Sequence, residues 1–102
     1  MVFDPAKFRD LIVSSTSSVT GRGLAVFFSR NDLPLLQPGK YQIEVTPPDR
    51  VSFKAIASAE YARIAPPGEV NALLFANTDR NQIPVGSKVT VLGLISASAP
   101  DV

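Results

Sequence analysis

The sequence contains neither cysteine nor histidine, and these two absences remove a great deal of chemistry. No disulfide, thiolate nucleophile, Cys-His pair, Ser-His-Asp triad or zinc site built on Cys or His can form. No imidazole is present to act as acid, base or pH switch. Charge of one sign is lacking too: 10 Lys and Arg stand against 9 Asp and Glu, a net charge of +1. Such a balance gives no global field to draw in nucleic acid or anionic lipid. Long apolar runs are missing as well. The longest, Leu24 to Phe28 and Ala72 to Ala76, are five residues each, whereas a membrane helix needs ~18–20; no membrane partner is expected. Met1 to Asp10 carries Asp4, Lys7, Arg9 and Asp10 and does not read as a secretory signal. A cytoplasmic location is the default expectation, and the lack of cysteine is compatible with a reducing compartment.

What is present is enough apolar material for one core. The chain has 102 residues, 45% apolar and 19% charged, which fits a single domain rather than a disordered tail. Glycine and proline punctuate it at short, regular intervals: Gly21, Gly23, Pro34, Pro38, Gly39, Pro47, Pro48, Pro66, Pro67, Gly68, Pro84, Gly86 and Gly93. The pieces between them are rich in β-branched and aromatic residues, the pattern of an all-β barrel or sandwich. Strands are expected at about 10–17, 23–29, 40–46, 50–59, 69–76 and 88–93.

Alternation supports several of these. Tyr41, Ile43 and Val45 share one face of their strand and Gln42 and Glu44 the other, while Val51, Phe53 and Ala55 form a second inward set. Pro47-Pro48-Asp49 joins the two as a short hairpin connection, because proline has no N–H to continue a ladder. Ser14 to Ser18 reads as a linker or as an exposed edge strand with a polar face, and its place between Leu11-Ile12-Val13 and Gly21 favours the strand. Asp4-Pro5 opens either one or two helical turns over 5–10 or an irregular arm. The expected division is an arm or short helix at 1–9, a barrel at 10–94 and a frayed tail at 95–102.

Several turns stand in a telling order. Gly21-Arg22-Gly23 opens Leu24 to Phe28, and Gln37-Pro38-Gly39-Lys40 follows as the next turn. Further on come Gly68-Glu69-Val70-Asn71-Ala72-Leu73-Leu74-Phe75 and Ile83-Pro84-Val85-Gly86-Ser87-Lys88-Val89. Over about residues 11–93 this series resembles the second domain of translational GTPases of the elongation factor Tu type. Phe28 replaces a glycine of that pattern, and Thr16, Ser17 and Ser18 replace apolar residues. The resemblance implies an all-β, single closed six-stranded β-barrel, present as a stand-alone domain without the GTPase domain. In that family the barrel is a platform touching its own GTPase domain, tRNA or ribosomal RNA. The phosphate-binding Gly-x-x-x-x-Gly-Lys-Ser/Thr loop is absent from the sequence, so GTP binding is not expected.

Candidate surfaces divide into two sets. Phe27 and Phe28 are consecutive and point to opposite faces of a strand, one inward and one outward. Leu33, Leu35 and Leu36 fall in a loop, where they either cap the barrel end or form an apolar patch for a partner. Together these five residues are the expected protein-binding set, serving a protein partner or a homo-oligomer. The alternative is a translation-associated RNA-binding module. The resemblance carries over a Glu-x-x-Arg loop onto Glu60 and Arg63, which in tRNA-carrying members borders the pocket for the terminal adenosine. Tyr61 could stack a base there, and Arg22 supplies a forked donor in a glycine turn. Asn77 to Gln82 lacks the ligand series of a calcium loop and reads as a turn. No Ser-x-x-Lys or Gly-x-Ser-x-Gly element occurs, and neither enzymatic activity, cofactor nor metal is expected.

Overall fold

The computed structural model describes residues 5–29, 34–64 and 68–97. Its six strands are β1 (Leu11–Val19), β2 (Gly23–Phe28), β3 (Gly39–Thr46), β4 (Phe53–Ile64), β5 (Gly68–Phe75) and β6 (Lys88–Ala97), preceded by one turn of 3-10 helix at Pro5–Lys7. They close into a barrel in the order β1-β2-β5-β4-β3-β6, with β6 returning to β1. Every neighbouring pair is antiparallel. The chain is therefore all-β, and each of the six expected strands is present.

The core follows the sequence alternation. Tyr41, Ile43 and Val45 are fully buried, and Leu24, Val26, Leu73, Phe75, Val89 and Val91 meet them from the facing strands. Topology decides how the ends are sealed. β2 and β3 lie apart in the ring, as do β5 and β6, so the segments joining them must cross the barrel ends. Among the described residues each crossing places an apolar side chain in the core: Leu36, 3% exposed, from the first and Ile83, 0% exposed, from the second. Burying one such side chain contributes about 1.5–3 kcal/mol.

The seam between β1 and β6 is short. Their ladder covers only Leu11↔Val89 and Ile12↔Lys88. Two backbone bonds from the 83–87 turn extend it, Gly86 N–H to Val13 O at 2.9 Å and Val13 N–H to Ser87 O at 2.9 Å. On the other side, Val91 N–H donates to Phe8 O at 2.8 Å. Phe8 is itself a core residue at 3% exposure, so the arm before β1 belongs to the barrel it was expected to precede.

Three further expectations are adjusted. Val51 is 87% exposed, not inward, because β4 begins only at Phe53. The connection from β3 is longer than a tight hairpin: Arg50 N–H bonds Pro47 O at 3.3 Å, and Asp49 takes a left-handed φ of 61°. Phe53 and Ala55 do pack against the core. β6 runs through Ala97, pairing Ser96 with Lys40 and Ala97 with Gly39, so the strand reaches into the expected tail. Ser14 to Ser18 is strand, as expected, paired on one side to β2, with a register shift that leaves Ser14 as the extra residue.

Candidate binding surface

One barrel mouth is closed by main chain held on side chains. Asn71, on β5 and 6% exposed, accepts from Leu36 N–H at 2.7 Å and donates through Nδ2 to Pro34 O at 2.8 Å. Tyr61, opposite Asn71 in the β4–β5 ladder, donates its hydroxyl to Leu36 O at 2.7 Å. Tyr41 donates to Gln37 O at 2.7 Å. An amide side chain can accept and donate at once, which is why one buried Asn serves both polarities of the loop backbone. Burial raises the Tyr41 phenol above its ordinary 10.0, and the neighbouring Tyr61 adds to the shift. Leu36 is thereby a barrel cap, which removes it from the expected protein-binding surface.

The glycine turn is structural in a specific way. Arg22 N–H closes a turn onto Val19 O at 2.9 Å, and Gly21 and Gly23 adopt φ of 77° and 126°. A Cβ on Gly23 would lie 2.1 Å from Phe75 O, so the close approach of β2 to β5 requires glycine. Arg22 is not a free solvated cation. Its guanidinium meets both carboxylate oxygens of Glu60, Nη1 to Oε1 at 3.3 Å and Nη2 to Oε2. This pair links the β1–β2 turn to β4. Arg22 also borders an open groove of about 430 Å³ shared with Asn77, Thr78 and Asp79. Asp79 Oδ1 is occupied by the backbone N–H groups of Asn81 and Gln82 at 2.9 and 3.3 Å, as a turn requires. No cluster of three or more metal-ligating side chains occurs among the described residues.

Of the RNA-directed set, Arg22 and Glu60 are brought together as an exposed ion pair. Tyr61, adjacent to Glu60 in the strand, turns to the loop at the mouth. Arg63 is placed by its backbone opposite Glu69, and its side chain lies outside the described residues.

Of the protein-binding set, Phe27 and Leu35 are half-buried, and Phe28 is half-buried against the core; Leu33 lies outside the described residues. Phe28 faces Val13 and Phe27 faces Ser15, on either side of the Ser14 bulge. Phe28 continues the inward series of Leu24 and Val26 and packs against the core, while Phe27 falls on the other face of β2.

The exposed apolar residues lie elsewhere. Ile56 is 57% exposed, Ile95 52%, Leu94 40% and Leu92 39%. Gln42 pairs with Ile56 on one side and with Gly93 on the other, so the exposed Gln42 of β3 stands between Ile56 and the Leu92–Ile95 segment, while Leu94 pairs with the inward Tyr41 at the mouth. Two register shifts in the β3–β6 ladder skip Leu92 and Ile95. Val91 is inside and Leu92 partly outside, as alternation requires, whereas Leu94 and Ile95 are both partly in solvent. The signal in the sequence was the run Leu92-Gly93-Leu94-Ile95, too apolar for a half-buried strand, which alternation alone does not explain.

Comparison with protein-family models, with curated proteins and with solved structures finds no match to this chain. What the geometry defines is a class: a closed, six-stranded antiparallel barrel with an apolar side chain plugging each end. No helix among the described residues is long and apolar enough to cross a membrane.

Proposed function

We propose that the chain is a non-enzymatic binding barrel of the kind that forms the second domain of translational GTPases, acting in the cytoplasm by protein–protein contact or self-association. The observation that carries this reading is that Ile56, Leu92 and Ile95 stand in solvent at 57%, 39% and 52%, apolar side chains that a protein partner would cover. A sequence without histidine or cysteine suits docking better than catalysis. RNA binding is the second reading: Arg22 is paired with Glu60 and the Tyr61 hydroxyl is held by Leu36 O, while the Tyr61 ring stays 40% exposed.

The test is affinity capture from native extract, with and without nuclease, using the wild-type chain and an Ile56→Glu variant as baits. A nuclease-resistant partner, or a differently tagged copy of the chain, lost with Ile56→Glu is the expected result. A nuclease-sensitive catch that depends on Arg22 transfers the function to RNA. Equal retrieval by both baits overturns Ile56 as part of the binding surface.

A further inference from the structure

We infer that segment 5–10 is a strap that opens and closes over the β1–β6 seam as a unit, hinged at Asp10, while the six strands stay folded. The inference stands apart from the protein-contact reading above and does not depend on it. The weak place in the ring is this seam. β1 and β6 share only the Leu11↔Val89 and Ile12↔Lys88 pairs, and beyond Val89 it is the strap that meets β6 on that side. Phe8 O accepts from Val91 N–H at 2.8 Å, and Asp10 N–H donates to Thr90 Oγ1 at 3.0 Å. Closed, the strap covers the Val91 N–H and seats Phe8 in the core at 3% exposure.

Two opposed effects set the equilibrium of the strap. Phe8 holds it shut. Of residues 6–10 it alone is buried, whereas Ala6, Lys7, Arg9 and Asp10 are exposed. Release therefore takes one apolar side chain out of the core and leaves the charged ones in water, where they already are. Asp10 pulls the other way. Its φ of 53° is left-handed, a conformation that is unfavourable for a residue with a side chain and that an open, extended strap relieves. A segment with a single buried anchor, exposed neighbours and a strained root meets the physical conditions for opening below the level of global unfolding.

The hinge falls at Asp10 because the chain on its far side is fixed. Leu11 and Val13 are 2% and 1% exposed, and β1 is paired with β2 from Val13 to Val19. Val13 also makes two backbone bonds to the next turn, donating to Ser87 O and accepting from Gly86 N–H. β1 therefore stays in place when the strap leaves. The open form bares the Val91 N–H on β6 and a phenylalanine-sized gap beside the seam. In the closed form the chain's own arm fills both, so it masks that part of the barrel.

Amide hydrogen exchange of the full chain at low urea concentrations tests this, with the Val91 amide reporting the strap and the β3 amides reporting the barrel. In the wild-type chain Val91 is expected to exchange at least ~10-fold faster than β3. Its rate should hardly change with urea, because opening the strap exposes little surface. Phe8→Ala removes the anchor: Val91 should lose its protection while the β3 amides remain protected and the variant still unfolds cooperatively. Asp10→Val keeps the anchor and makes the left-handed hinge less favourable. It should speed Val91 exchange at least ~3-fold, still without urea dependence. Val91 exchanging together with β3 at every urea concentration, Val91 still protected in Phe8→Ala, or a Phe8→Ala chain that does not fold each overturns the proposal. So does an Asp10→Val chain whose Val91 exchange matches wild type.

Discussion

Asn71→Ala should release the loop that closes the barrel mouth, and its cost can be worked from the contacts. The substitution removes the acceptor of Leu36 N–H and the donor to Pro34 O. Each bond is worth about 1 kcal/mol net, and a buried group left without a partner costs more than that. The lower bound is therefore about 2 kcal/mol. If the freed segment also withdraws Leu36 from the core, a further 1.5–3 kcal/mol of burial is at stake, giving about 3–5 kcal/mol in all. For a domain of this size roughly 4–8 °C of melting temperature goes with each kcal/mol, so a fall of at least about 8 °C is expected. Asn71→Asp keeps the acceptor for Leu36 N–H but has no donor for Pro34 O, and should fall between wild type and Asn71→Ala. The assay is thermal unfolding together with exchange of the Leu36 amide, which should accelerate in Asn71→Ala before global unfolding begins. A variant within about 0.5 kcal/mol of wild type, the range of an ordinary surface change, with unchanged Leu36 exchange would refute the account of the loop as a side-chain-held cap.

Gly23→Ala should be far more damaging than Gly21→Ala. The first forces a Cβ to 2.1 Å from Phe75 O, while the second meets nothing within 4 Å and costs only the left-handed backbone, about 1–2 kcal/mol; urea midpoints should rank them in that order. Tyr41 predicts a loss of stability at high pH. Its folded-state pKa is raised, so its contribution is complete below pH 10.0, where both states hold the proton, and is lost as pH rises through the folded value. Subtracting the pH dependence of Tyr41→Phe unfolding from that of wild type should isolate this step. Arg22 and Glu60, at 54% and 38% side-chain exposure, should couple by less than about 1 kcal/mol in a double-mutant cycle, and less still at high salt.

The strands were legible because their information is local. In Lys40 to Thr46 every second residue is apolar, and the three inward ones, Tyr41, Ile43 and Val45, are fully buried. The turns at Gly21, Gly23 and Gly86 were legible for the same reason: each has a positive φ that glycine adopts without strain. Val51 was misread because alternation does not report where a ladder begins. The turn at Pro47–Arg50 sets that boundary, and it leaves the residue outside.

The candidate surface was less legible, since it depends on pairings between distant parts of the chain. Leu36 and Asn71 are 35 residues apart in sequence, and Arg22 and Glu60 are 38 apart; no local pattern joins them. By itself the sequence determined an all-β chain of six strands, and composition removed thiol and imidazole chemistry from its repertoire. Only the tertiary structure decided that Leu36 became a cap, that Arg22 met Glu60, and where the extra residues of β1 and β6 fell. Bulges arise from the register of one strand against another, so the joint exposure of Leu94 and Ile95 exists only once β3 and β6 are side by side.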